Sequence, residues 1–356
     1  MSMDCAGCDR YACRAGRVDA APETCPMWGD FPAFETLYDA DVVRRLAYHA
    51  ARVEADGYCR WTRVREVVEV SERMGYRRIG VGSCPDTRHE AELAAARLAE
   101  HGLEVVLPEP LEDCDPVGQA SLFADRATDF NVIAGMCVGH DSLFMRHSAA
   151  PVTSLVVRDV RLRHNPAAAL YLHTGYFKSA LYGARSKDQV PFRGWDDALL
   201  DRLAREVRDA GAARDARPCR LEEVMDFARR AGVRRLGVVY CVGFREEARQ
   251  LKAVLGTNGF RLSSVCCKTG AVPKERLGIT DEEKVHPGRP EMMCNPVAQA
   301  ELLERDEVEL VLLLGQCVGH DSATMARLAT PAVCLVAKDR VLGHNTVAAL
   351  HDMREA

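Results

Sequence analysis

The stretch Gly-Met-Cys-Val-Gly-His-Asp-Ser at 135–142 returns as Gly-Gln-Cys-Val-Gly-His-Asp-Ser at 315–322. Aligned without a gap from these stretches onward, residues 137–171 and 317–351 are identical at eighteen of thirty-five positions. Chance does not produce that agreement, so the chain contains an internal duplication. Each copy carries one Cys, two His and two Asp among the shared positions, and these residue types bind metals or take part in catalysis.

The composition is that of an ordinary globular protein, with 47% hydrophobic and 28% charged residues among 356. That length suffices for two domains, each with its own core. A net charge of −5 gives no support to a nucleic-acid or membrane-surface partner. No apolar run approaches the roughly 20 residues of a membrane span, and the N-terminus lacks the apolar core of a signal peptide. We therefore expect a cytoplasmic protein, either monomeric or homo-oligomeric, whose fifteen Cys are thiols or metal ligands rather than disulfides.

Helical and strand patterns alternate through both copies, which predicts α/β architecture with parallel sheets. We expect two tandemly duplicated Rossmann-like or flavodoxin-like lobes at 39–171 and 195–352, joined by a linker at 172–194. In such sheets, ligands bind beyond the carboxyl ends of the strands. Several Cys follow predicted strands directly, so the sequence places a thiol-rich site at this edge of the sheet.

Residues 1–30 form a separate unit with the spacing Cys5-x2-Cys8-x4-Cys13-x11-Cys25. The segment has almost no periodic apolar pattern, so burial alone cannot offset the cost of ordering it. Four thiolates closing on one metal can supply that free energy. An all-sulfur ligand set suits zinc or an iron–sulfur cluster. Either a functional centre or a metal site that only fastens the N-terminus fits this pattern.

The second copy has more thiols than a single zinc site needs, since zinc takes four ligands at most. They are Cys241, Cys266, Cys267, Cys294 and Cys317. The first copy has counterparts of three of them in Cys84, Cys114 and Cys137, but Pro108-Glu-Pro110 stands where the Cys-Cys pair would be. These three are either relics of the duplication or further contacts to the site.

The motifs of the second copy resemble a cysteine-rich metal-binding family, classed as domain of unknown function 1847, over about 217–352. They are Cys241-Val-Gly, Cys266-Cys267-Lys268-x-Gly270, Cys294-Asn295-Pro296, Gly315-x-Cys317-Val-Gly-His320-Asp321-Ser322 and Lys338-Asp339-Arg340. The four-Cys segment at the N-terminus is also similar to that family's. The resemblance implies metal binding and does not supply a reaction.

The leading hypothesis from these residues is a metal-dependent, iron–sulfur desulfhydrase that releases sulfide from a small thiocarbonyl compound of the thio-imidazole or thiohydantoin type. A 4Fe-4S cluster held by three Cys would keep one iron open to substrate sulfur, as in cysteine-rich desulfidases that act on thiouracil-type rings. The expected cluster ligands are Cys266, Cys294 and Cys317. The expected catalytic residues are Cys241 or Cys267 as the spare thiol, Lys268 for an anionic substrate group, His320 as acid/base and Asp321 as the group that orients it.

Two other classes remain open on the sequence. One is a non-catalytic zinc or iron–sulfur protein that stores, senses or transfers a metal or electrons, which the duplication suits. The other is a metal-free enzyme with Cys317 or Cys241 as an activated nucleophile. The Cys-Cys-Lys motif favours the enzyme hypotheses, because a carrier has no need of that motif in only one copy.

Overall fold

A computed structural model describes residues 3–23, 25–28, 34–38, 41–183 and 190–351. Two four-stranded, fully parallel sheets flanked by helices form the body of the molecule. The expected α/β class with duplicated lobes is therefore confirmed. None of the helices within these ranges has the length and apolarity to cross a bilayer.

The first lobe has the strand order β2-β1-β3-β4, which matches the first four strands of the flavodoxin-like order. Its strands are β1 (Arg78–Gly82), β2 (Glu104–Val106), β3 (Phe130–Ala134) and β4 (Val152–Val156). Its helices are α1 (Asp41–Asp56), α2 (Arg63–Met74), α3 (Arg88–Glu100), α4 (Pro116–Asp125), α5 (His140–His147) and α6 (Ala167–Tyr171).

The second lobe repeats this order as β6-β5-β7-β8. Its strands are β5 (Arg235–Tyr240), β6 (Arg261–Cys266), β7 (Leu310–Leu314) and β8 (Ala332–Val336). Its helices are α8 (Asp197–Ala212), α9 (Arg220–Ala231), α10 (Arg245–Thr257), α11 (Pro296–Arg305), α12 (His320–Arg327) and α13 (Thr346–His351). The predicted linker 172–194 contains helix α7 (Lys178–Tyr182), and its residues 184–189 lie outside the described part of the chain.

The apolar runs of the central strands form the cores. Every residue of β3 and of β7 is buried, as expected for strands covered by helices on both faces. Leu312 of β7 belongs to the core on one face and Leu313 to the core on the other, since successive side chains of a strand point to opposite faces.

Each half of the chain covers the carboxyl edge of the other half's sheet. Helix α1 packs on α12 of the second lobe, where Leu46 and Ala50 face Gly319. Helix α8 packs in the same way on α5 of the first lobe, where Ala204 faces Gly139. The last helix of each half is exchanged too, with α13 packed on α3 and α6 on α10. The duplication therefore produces an intertwined pair of lobes with approximate two-fold symmetry.

The N-terminal segment is docked on the edge strand of the second sheet. Its residues make one parallel bridge to β6, in which Cys5 N donates to Ser264 O at 3.1 Å and Ser264 N donates to Met3 O at 2.8 Å. The hydroxyls of Tyr11 and Tyr240 share a buried hydrogen bond of 2.9 Å. This docking brings the four N-terminal Cys to the carboxyl end of β6.

Candidate metal centres

Four thiols of the second lobe meet at the carboxyl edge of its sheet, and we call them the second-lobe cluster. Three follow strands (Cys241 after β5, Cys267 after β6 and Cys317 after β7), and Cys294 precedes α11. Parallel strands end at one edge, which is why residues far apart in sequence converge here. The sulfurs of Cys294 and Cys267 are 3.6 Å apart, and all four residues are at most 5% exposed.

Two lysines lie against this cluster, Lys338 buried and Lys268 half-buried. Lys338 Nζ lies 2.8 Å from the sulfur of Cys241 and 3.2 Å from that of Cys317, while Lys268 Nζ lies 3.4 Å from that of Cys294. The contact with the Cys267 thiol, together with the charge of Lys268, lowers the pKa of Cys294 well below its usual value of 9 despite burial. Lys338 of the Lys-Asp-Arg motif is only 3% exposed, so it belongs to this buried site and not to a surface charge cluster.

His320, the expected acid/base, is the first residue of α12 and lies beside this cluster. Burial lowers its pKa, but the charge of Cys294 and the contact with Cys317 outweigh this effect and raise the pKa to about 10. Its Nε2 is buried without a hydrogen-bond partner among the described residues. A protonated imidazolium with one uncommitted nitrogen can serve as a proton donor.

The expected role of Asp321 needs correction. Its carboxylate accepts hydrogen bonds from Arg63 Nη2 and Thr153 Oγ1, both at 2.6 Å, and from Ser322 N at 2.8 Å. These contacts join the two lobes. They occupy the Asp321 carboxylate, so it does not orient the His320 ring. The sequence could not show this, because the partner arginine lies 258 residues away and is supplied by the other copy.

The expected grouping of Cys266 with Cys294 and Cys317 also needs correction. Cys266 is the last residue of β6 and Cys267 follows it, and the two thiols are in contact but have different further neighbours. Cys267 joins the second-lobe cluster. Cys266 instead lies next to Cys13, and its pKa is raised by burial and by that thiol.

Five thiols therefore surround a cavity of about 380 Å³ between the N-terminal segment and β6, and we call them the N-terminal group. They are Cys5, Cys8, Cys13, Cys25 and Cys266. Four of them are the predicted N-terminal metal ligands, and the fifth is contributed by the second lobe. The N-terminal group and the second-lobe cluster are therefore adjacent, because Cys266 belongs to the first and its neighbour Cys267 to the second.

A second cavity, of about 270 Å³, opens at the second-lobe cluster. Cys241 lines it together with four cationic side chains of the same lobe, Lys268, Lys274, Lys338 and Arg340. Glu54 of α1 is at its wall and forms an ion pair with Arg340. The charges of Arg340 and Lys338 hold the pKa of Glu54 well below its usual range, against burial. Cations in excess of carboxylates make this cavity suited to an anionic ligand.

The first lobe has a compact thiol cluster of its own at the matching edge, formed by Cys84, Cys114 and Cys137. Within the described ranges, these are the three ligand atoms that all lie within 4.8 Å of one another, and the sulfurs of Cys114 and Cys137 are 3.8 Å apart. We call this set the first-lobe cluster. Alignment to the second copy was the signal that could have found it, since each member has a counterpart there.

Arginines, rather than lysines, accompany the first-lobe cluster. Arg208 of α8 donates to the sulfur of Cys114 at 3.6 Å, and Arg205 donates to its carbonyl at 2.9 Å. Hydrogen bonds from Cys114 and Cys137, with the charge of Arg158, lower the pKa of Cys84 well below its usual value despite burial. Each cluster thus has one thiol with a lowered pKa, Cys84 or Cys294, beside a cation that favours its thiolate, whereas contacts with neighbouring thiols and burial raise the pKa of the other members.

The sequence matches the profile of a family described as "Protein of unknown function (DUF1847)" over residues 31–109, 106–155 and 192–335. The chain belongs to this family. The matched segments fall in both copies, so the family resemblance extends to the first lobe as well as the second. Uncharacterized protein MJ0455 of Methanocaldococcus jannaschii is 35% identical over 200 residues, which span all of that protein and 51% of this chain. About half of this chain is enough to match the whole of that relative, which is consistent with the internal duplication.

Two solved structures give weak similarities. Dph2 from Pyrococcus horikoshii with a 4Fe-4S cluster has a TM-score of 0.24 and 12% identity, over 83% of this chain and 92% of that one. A carbohydrate transporter from Acidothermus cellulolyticus in complex with myo-inositol has a TM-score of 0.21 and 13% identity, over 78% and 86%. Scores this low do not contribute to the assignment of function.

Proposed function

We propose that the protein is a metal-dependent desulfhydrase whose active site is the second-lobe cluster and the cavity beside it. The substrate is a small thiocarbonyl compound, of the thio-imidazole or thiohydantoin type, that carries a negative charge. The observation that carries this proposal is the placement of four buried thiols next to a cavity of about 270 Å³ lined by Lys268, Lys338 and Arg340. A metal store or carrier has no use for such a cationic cavity.

The donor set fits an iron–sulfur cluster with one open position. Cys241, Cys294 and Cys317 would hold it, because they are the counterparts of the three thiols that meet in the first lobe. Cys267 is then the spare thiol, and Val242 N donates to its sulfur at 3.2 Å. When bound, such a cluster supplies a Lewis-acidic iron with affinity for sulfur. Zinc bound by the same thiols is the alternative cofactor.

The proposed reaction replaces sulfur by oxygen. The thiocarbonyl compound and one water give the carbonyl compound and hydrogen sulfide, so the step needs no oxidant or reductant. Lys268 and Arg340 bind the anionic group of the substrate and orient it within the cavity. His320 holds a proton at an imidazole nitrogen and donates it to the departing sulfur. Glu54 of α1, Tyr58 shortly after it and His286 of the loop at 285–291 line the cavity, and these side chains limit the access of bulk water.

Anaerobic purification of the full chain, followed by iron, zinc and acid-labile sulfide analysis, tests the cofactor. Incubation with carboxylate-bearing thiohydantoins and thio-imidazoles, with sulfide and carbonyl product measured together, tests the reaction. We expect a brown protein that forms the two products in equal amounts. A protein with its full metal complement that releases no sulfide across the series would overturn the proposal. A colourless, zinc-only protein without activity would favour the non-catalytic metal-binding hypothesis.

A further inference from the structure

The first-lobe cluster is spatially separate from the proposed active site, and nothing in the reaction proposed above uses it. Its three sulfurs come from three different segments. Cys84 follows β1, Cys137 follows β3, and Cys114 directly precedes Asp115, the N-cap residue of α4. Cys84 is 2% exposed, Cys114 5% and Cys137 2%. Two further buried thiols, Cys219 and Cys334, lie outside any such group, so burial of cysteine alone does not produce this convergence.

The spacing of these sulfurs fits a single metal ion. A tetrahedral ion with metal–sulfur bonds of about 2.3 Å places its ligand sulfurs about 3.8 Å apart. The sulfurs of Cys114 and Cys137 are 3.8 Å apart, and both lie within 4.8 Å of that of Cys84. Three thiolates would carry three negative charges into a buried site, and Arg158 and Arg208 lie where they offset part of that charge.

A fourth donor is available in His140, three residues after Cys137. Its side chain is 1% exposed, and its Nδ1 is buried without a hydrogen-bond partner among the described residues. Its Nε2 lies 3.2 Å from a carboxylate oxygen of Asp201 on α8. A histidine that binds metal through one nitrogen commonly donates the other N–H to a carboxylate, which fixes the tautomer and the ring. His140 already has that outer partner.

Asp201 is itself held in place. Arg205 donates to its two carboxylate oxygens at 2.9 and 3.0 Å, and the same guanidinium donates to the carbonyl of Cys114. His320, the counterpart of His140, contacts the counterparts of Cys114 and Cys137 in the second lobe. His140 is outside the compact group of three, so binding through Nδ1 requires a movement of its ring toward the sulfurs.

We propose that the first lobe binds one divalent, thiophilic metal ion of the zinc class through Cys84, Cys114 and Cys137, with His140 as the fourth ligand. Asp201 is a positioning residue that acts through His140. The site is closed, because all four positions are filled by protein, and closed sites of this composition are structural. Because α8 belongs to the second half, the ion fastens the two halves together. The proposal does not rest on the desulfhydrase function.

The test uses the full chain, stripped of metal and titrated with Zn²⁺ against a chromophoric chelator. The Cys137→Ser variant is expected to bind one equivalent fewer than wild type. Asp201→Asn is expected to keep the number of equivalents but to bind one of them about 10- to 100-fold more weakly. Glu206→Gln is the matched control and should behave as wild type, because Glu206 lies on the same helix and its carboxylate forms ion pairs with Arg202 and Arg230.

A Cys137→Ser protein with the wild-type number of Zn²⁺ equivalents would overturn the site. Unchanged Zn²⁺ affinity in Asp201→Asn would overturn His140 as the fourth ligand. If Cys137→Ser does not fold, thiol labelling of the wild type decides. Zn²⁺ should slow the reaction of N-ethylmaleimide with Cys84, Cys114 and Cys137 as a set, while the equally buried Cys219 and Cys334 react at the same rate with and without the ion. Identical labelling of all five in both states would also overturn the site.

Discussion

Arg63 of the first half and Asp321 of the second half form an ion pair of 2.6 Å that is almost completely buried. Arg220 and Asp141 form the same pair in the opposite direction, also at 2.6 Å. Each arginine is the first residue of a helix, and each also donates to backbone carbonyls of both lobes. Arg63 Nη2 donates in addition to the Thr153 hydroxyl. Two equivalent, buried ion pairs thus connect the two lobes at their boundary.

Removing one partner of such an ion pair should strongly lower the free energy of unfolding. Arg63→Met leaves Asp321 buried with an unpaired charge, so we expect a loss of about 3 to 5 kcal/mol in the free energy of unfolding. The double variant Arg63→Met/Asp321→Leu should recover a large part of that loss, because it removes both charges. Urea unfolding followed by circular dichroism measures both. If Arg63→Met loses less than about 1 kcal/mol in the free energy of unfolding, the ion pair does not stabilise the lobe boundary.

A change in pH should act through a buried carboxyl group. Burial raises the pKa of Glu223 even though Arg158 lies 3.1 Å away, and Arg158 has Asp86 as a second partner. A carboxyl with a raised folded-state pKa holds its proton more tightly when folded, so stability falls as pH rises above about 4.5 through the folded pKa. Glu223→Gln should flatten that fall in the unfolding free energy between pH 4.5 and neutrality. Its counterpart Glu66 has a pKa raised to about 8, so Glu66→Gln should likewise flatten the fall in the unfolding free energy as pH rises. Parallel pH profiles for variants and wild type would contradict this expectation.

Substrate binding should depend on Lys268. Replacing this cation by methionine removes a charge-assisted contact to the substrate anion, and we expect KM to rise about 10- to 100-fold with little change in kcat. Arg276→Met is the matched control, because Arg276 is exposed and lies away from the cavity. Steady-state sulfide release measures both. A loss confined to kcat would instead place Lys268 in the chemical step.

Metal content should separate the N-terminal group from the second-lobe cluster. Cys266→Ser and Cys13→Ser are expected to lose the same metal equivalents, because both thiols line one cavity. Cys294→Ser is expected to lose different equivalents and the sulfide-releasing activity. Metal analysis of the three purified variants provides the comparison. Loss of the same metal in Cys266→Ser and Cys294→Ser would restore the grouping expected from sequence.

One glycine of the repeated stretch should resist substitution. Gly315 has φ +64°, and a Cβ there would overlap the ring of Phe244, so Gly315→Ala should destabilise the fold by more than about 1 kcal/mol. Gly256, in the last turn of α10, has nothing within 4 Å of a new Cβ. Gly256→Ala should therefore stabilise by roughly 0.5 to 1 kcal/mol. Thermal unfolding of the two variants gives the contrast, and equal effects would refute it.

Local patterns predicted the secondary structure well. The apolar pattern predicts a helix over 87–101 and a strand over 130–135, and the structure has them at Arg88–Glu100 and Phe130–Ala134. The pattern also predicts a first helix from 39, of which residues 39 and 40 lie outside the described chain. Apolar runs and Gly or Pro boundaries act within a few residues, which is why such elements can be predicted from sequence.

The candidate site was predicted only in part. Cys at strand ends could be placed at the correct edge, because parallel topology fixes that edge. The neighbours that each thiol meets at that edge could not be predicted: Cys266 was grouped with Cys294 and Cys317, whereas it lies next to Cys13, and Cys267 is the one beside Cys294. The partners of Asp321 and His140 come from the other half of the chain, and no local pattern encodes contacts across more than sixty residues.

The helix that lies over each sheet edge is encoded in the opposite half of the chain. In a dimer of identical subunits, any substitution in such a helix would alter both sites at once. Here α1 places Glu54 near the second-lobe thiols, whereas α8 places Arg205 and Arg208 near the first-lobe thiols. Joining the two copies in one polypeptide has thus released them from symmetry, so that natural selection can specialise one pocket without touching its twin.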